Sequence, residues 1–65
     1  MTEKFIVKRY RAMYTGVVCD YFVFNSYAED IRAAELFATY EEAKNVISTY
    51  GSNGDYFQIE KIFIP

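Results

Sequence analysis

The chain has no histidine and no tryptophan, one cysteine, one proline and three glycines in 65 residues. Each shortage closes a class of chemistry. Without histidine, neither a serine nor a cysteine nucleophile has an imidazole base to activate it. One cysteine cannot make an internal disulfide, and a cysteine without histidine cannot assemble a structural zinc site. Gly16, Gly51 and Gly54 stand apart, so neither G-x-x-x-x-G-K-[ST] nor G-x-G-x-x-G occurs. No apolar run approaches the roughly 20 residues of a membrane helix. The first residues are charged and no apolar stretch follows them, which predicts no signal peptide. An unpaired cysteine fits a reducing compartment, so a soluble cytoplasmic protein is expected. No catalytic residue, metal site or cofactor is expected.

What the chain does have is aromatic surface. Seven Tyr and six Phe make aromatics 20% of the sequence. A single domain of this length buries only about 60% of its unfolded surface. Chains so short lean on disulfides, metals or oligomerisation. The first two are closed here, which leaves a rich core or self-association. The net charge of −2 argues against a general nucleic-acid binder. The charge is unevenly spread. Lys4, Lys8, Arg9 and Arg11 against Glu3 give +3 over residues 1–11, whereas residues 12–42 reach −5 with Arg32 alone opposing six acids.

The clearest element is Thr39 to Gly51. Thr39 and Glu42 have the spacing of a capping box, with the Thr39 N–H as the expected partner of the Glu42 carboxylate. Ala43, Val46, Ile47 and Tyr50 form one apolar stripe at helical spacing. Gly51 is the expected left-handed stop. Residues 4–14 read as a first strand whose core-leaning face is Ile6, Lys8, Tyr10, Ala12 and Tyr14. Gly16 turns the chain at positive φ. A second strand, 17–24, is apolar on one face and broken only by Asp20 on the other. One helix covers one side of a sheet, so the other side of this strand calls for a partner, and a homo-oligomer is expected. Ser26 and Glu29 suggest a short helical turn through about Arg32, followed by a strand at 34–37; a single helix over 27–37 is the competing reading. Ser52-Asn53-Gly54-Asp55 reads as a turn, and residues 56–64 as the last strand. The expected architecture is α+β: a mainly antiparallel sheet of three or four strands with one helix packed on it, in the order β-β-β-α-β.

Two sets of residues are candidates for function. Lys8, Arg9, Tyr10 and Arg11 interleave cations with an aromatic, and could bind a small anionic ligand by Arg forks and stacking. Glu29, Asp30 and Glu35 lie in the acidic midsection and could face a partner protein. Cys19 falls on an apolar strand face and reads as a core residue. The acidic pairs Glu29-Asp30 and Glu41-Glu42 are adjacent in sequence, so their side chains diverge, and no calcium-loop spacing is present.

The run Ala34, Leu36, Phe37, Thr39, Glu41, Glu42, Ala43 has the form A-x-L-F-x-T-x-E-E-A. With Phe5 to Val7 before it and Ile59 to Ile62 after it, the chain resembles a family of very small phage and bacterial proteins. The resemblance implies the α+β fold and a phage or mobile-element source, and no catalytic residue. It implies an accessory protein that acts by stoichiometric binding in the host cytoplasm. Its target would be a host defence or host enzyme component, bound directly or through a sequestered nucleotide signal. The alternative is an assembly module whose partners are itself or other phage components.

Overall fold

The computed structural model describes residues 1–51 and 55–65. The strands are β1 (Thr2–Met13), β2 (Gly16–Val23), β3 (Ser26–Ala28) and β4 (Tyr56–Ile64). A 3₁₀ turn spans Ile31–Ala33, and helix α1 runs Tyr40–Tyr50. The sheet order is β3-β2-β1-β4, every neighbour antiparallel. The α+β class is as the sequence predicts.

β1 is the spine. Its C-terminal half, from Lys8 to Met13, pairs with β2, while Thr2 to Tyr10 pair with β4. Both ladders keep one register throughout, so side chains alternate strictly between faces. Phe5, Val7, Arg9 and Arg11 share a face with Asp20, Phe22, Phe57 and Ile59. That face meets the helix. Val7, Phe22, Phe37 and Ala43 form the buried cluster, with Phe5, Tyr27, Val46, Ile47, Phe57 and Ile59 packed around it. The expected core-leaning face of β1, that of Lys8 and Tyr10, is therefore the one turned away from the helix. The odd-numbered face carries Phe5 and Val7 into the core, and Arg9 is accommodated there because Asp20 on β2 lies directly opposite and neutralises it. Ile6, although on the far face, is fully buried.

α1 forms as its sequence requires. The Thr39 hydroxyl accepts from the Glu42 N–H at 3.2 Å. The Glu42 carboxylate accepts from the Ala38 N–H at 3.0 Å, one residue before the expected Thr39. Ala43 is fully buried, Val46 and Ile47 half-buried, and the Tyr50 ring lies 5.4 Å from that of Phe22. Gly51 is not left-handed: its φ and ψ are −65° and 144°. It is required for a different reason. A Cβ there would sit 2.4 Å from the Ile47 carbonyl oxygen, which accepts the Gly51 N–H.

The middle of the chain departs from expectation. The third strand is Ser26–Ala28, not 34–37, and Phe24 lies in a turn rather than at the end of β2. Phe24 and Asn25 both have positive φ, 42° and 66°, which closes a two-residue hairpin between β2 and β3. At 34–37 only Phe37 bridges to β1, exchanging backbone bonds of 2.8 Å with Phe5 beyond the reach of β2. The 3₁₀ turn is capped by Asp30, whose side chain accepts from the Arg32 N–H, and not by Ser26, which is in β3. Neither the Ser26 box nor a helix over 27–37 forms. The expected 52–55 turn falls, apart from Asp55, outside the described residues.

Candidate functional site

Lys8, Arg9, Tyr10 and Arg11 do not converge. Strand alternation sends Arg9 and Arg11 to the helix side and Lys8 and Tyr10 to the open side. On the helix side, Arg9 grips Asp20 with both prongs: Nε to Oδ1 at 2.9 Å and Nη2 to Oδ2 at 2.7 Å. Its guanidinium also lies 3.5 Å from the centre of the Tyr27 ring and 3.8 Å from the Asp55 carboxylate. Asp20 is 4% exposed, and the fork supplies the charge its burial demands. Asp20 in turn raises the Arg9 pKa above its ordinary value. Arg9 is thus wholly engaged within the fold. Arg11 is less so. It reaches Asp20 through Nη2 at 3.3 Å, its Nε is buried without an acceptor among the described residues, and its side chain is 38% exposed.

On the open side, three tyrosines lie across three neighbouring strands. Tyr21 on β2 is opposite Lys8 on β1, and Tyr10 on β1 lies between Cys19 on β2 and Tyr56 on β4. The Tyr10 and Tyr56 rings are 5.8 Å apart, and the Tyr10 hydroxyl donates to Gln58 Oε1 at 3.1 Å. The Lys8 ammonium sits 5.2 Å from the Tyr10 ring and 5.9 Å from the Tyr21 ring, and 3.3 Å from Glu60. Tyr10 and then Glu60 hold the Lys8 pKa above its ordinary value, which favours its charged form. Burial pushes the Tyr21 hydroxyl pKa up, against the lowering field of Lys8. Cys19 is a free thiol, half-buried on this open face rather than in the helix-side core.

Of the acidic candidates, Asp30 is engaged by Arg32, which lowers its pKa through side-chain and backbone hydrogen bonds. Glu35 accepts from the Phe24 N–H at 2.9 Å and so braces the β2–β3 hairpin. Glu29 is exposed. No group of three or more metal-ligating side chains occurs among the described residues, and no described helix is long and apolar enough to cross a membrane.

Sequence reading did not single out Tyr21, Tyr56 or Phe24. A signal for the first two is present: Tyr21 and Tyr56 belong to strands whose both faces carry apolar residues. Phe24 carries none, because a phenylalanine gives no hint of positive φ.

Fold and surface together define a small α+β sheet protein with a helix packed on one face and a row of partly exposed tyrosines on the other. No family model, curated protein or solved structure matches the chain.

Proposed function

We propose that the chain is a small, non-enzymatic, phage-like accessory protein that acts in the host cytoplasm by stoichiometric binding, as a homo-oligomer. The observation that carries this reading is the open face of the sheet. Tyr10, Cys19 and Tyr21 are half-buried there, while Val17 and Tyr56 are 70% and 67% exposed. Tyrosine at the centre of a patch is what binding surfaces favour, since it adds large rigid area at low entropic cost. The total surface of 4664 Å² also exceeds the roughly 4,300 Å² of a compact 7.6 kDa monomer. Of the two kinds of target, a host protein suits this surface better than a nucleotide signal. Arg9, the expected phosphate fork, is closed on Asp20, and Lys8 is neutralised by Glu60.

Native mass spectrometry of the freshly purified protein tests the proposal. An oligomer is expected, and Tyr56→Asp, on the open face, is expected to release the co-purified target. A monomer without added mass at every concentration overturns the reading. Nucleotide-sized extra mass moves it to the signal-sequestering form.

A further inference from the structure

Two turns lie at opposite ends of β2, and they are unlike. β2 begins at Gly16, opposite Met13, and ends at Val23, opposite Ser26. Eight residues at about 3.3 Å each put the ends roughly 25 Å apart in a molecule 39 Å long. At the β2–β3 end stands Phe24, 78% exposed and at a φ of 42°. Both properties are unfavourable for phenylalanine: positive φ strains a residue with a Cβ, and the ring gains nothing in water. The hairpin nonetheless holds it out, with its N–H fixed by the Glu35 carboxylate. Leu36, next to Glu35, is 47% exposed. This end is apolar with a carboxylate beside it.

At the β1–β2 end, the two strands project as a ribbon. β4 stops opposite Tyr10 and β3 stops opposite Tyr21, so neither flanks the last residues of the hairpin. Here an open depression of about 470 Å³ is lined by Ala12, Met13 and Tyr14. Met13 is more than half exposed and Tyr14 fully so. Two residues behind Met13, on the same face, stands Arg11, 38% exposed, its guanidinium held among the described residues by one 3.3 Å contact. Releasing that contact leaves Asp20 still gripped by Arg9. This end is an apolar hollow with a cation beside it.

We propose that the two ends meet between copies. Phe24 of one molecule seats in the Ala12–Tyr14 depression of the next, and Glu35 of the first faces Arg11 of the second. Apolar anchor meets apolar hollow, and carboxylate meets an arginine whose side chain is 38% exposed. The contact is head-to-tail, so it can repeat into a ring or chain. This assignment rests on the reading of the protein as self-associating, and places the contact at the ends of the sheet rather than on its open face.

The test is a complementation experiment by light scattering and native mass spectrometry. Phe24→Asn spoils one end, and asparagine tolerates positive φ, so the hairpin is kept. Tyr14→Asp spoils the other end at a fully exposed turn position. The wild type is expected to grow beyond a dimer with concentration and to shrink with salt. Each variant alone is expected to lose association by about 30-fold or more, the loss of a hot-spot residue. Mixed, the two variants are expected to form a 1:1 pair that grows no further, because one intact end remains on each. Circular dichroism melting verifies that both variants fold. A mixture that stays monomeric, or a Phe24→Asn variant that keeps the wild-type size, overturns the proposal. If Tyr56→Asp alone dissociates the protein, the end contact falls while the open-face reading stands. If the wild type is monomeric throughout, both fall.

Discussion

Asp20 carries a charge into the helix-side face of β2, between Val18 and Phe22. What makes this tolerable is the strand opposite, where Arg9 supplies a two-pronged fork and Tyr27 a ring for its outer face. A buried pair of this kind contributes little relative to a well-packed apolar pair, but halving it is costly because a charge is stranded. Arg9→Ala is expected to destabilise the fold by about 3–5 kcal/mol, read as a drop in the urea midpoint. Arg9→Lys is expected to restore only part, since an ammonium cannot make the fork or stack on Tyr27. Asp20 is visible in the sequence as a break in an apolar strand face, and Arg9 as part of a basic run. That they are partners depends on which residue of β1 lies opposite which of β2, and the turn sets that register. For the same reason the run Lys8–Arg11 reads as one site in sequence and is two in space.

At the scale of elements, the turns diverge most from the sequence reading. The β2–β3 hairpin closes through Phe24 and Asn25, where a tight turn prefers Asn-Gly or Asp-Gly. Phe24→Asn is expected to raise stability by up to about 1 kcal/mol, because it removes the positive-φ penalty of a bulky residue. A fall in unfolding temperature would contradict this account of the turn. Gly51 has the opposite sensitivity. Gly51→Ala is expected to cost about 1–3 kcal/mol by pushing a Cβ against the Ile47 carbonyl. Its amide protons over the last helical turn should exchange faster with solvent. The helix itself was legible from Thr39 to Tyr50, because caps and stripe are local. The strand at Ser26–Ala28 was not, because three residues with no period become a strand only when a neighbour's edge is already there.

For the whole molecule, the charge pattern makes stability nearly independent of pH around neutrality. There is no histidine, and the shifts of Lys8, Arg9, Arg32 and Asp30 move those groups further from neutrality. Urea midpoints are therefore expected to stay flat between about pH 6 and 8. The Asp30 carboxyl is held below its ordinary 3.8 in the fold. Its contribution is present above that value and is lost as pH falls through the lowered one, so stability should decline on the acid side. The Lys8 contribution has the reverse sign: it is present below the ordinary lysine value and lost only in strong alkali. The proposed self-association adds a further expectation, a melting temperature that rises with protein concentration. The composition, the α+β class, and the helix with its Thr39 cap all follow from residue types and short spacings. These are properties of near neighbours along the chain. Which face of β1 meets the helix, which arginine stays partly exposed, and which aromatics stand in solvent follow from strand register and from the two turns that set it. A shift of one residue would exchange the faces, and no local pattern in this chain, with apolar residues on both sides of its strands, forbids it.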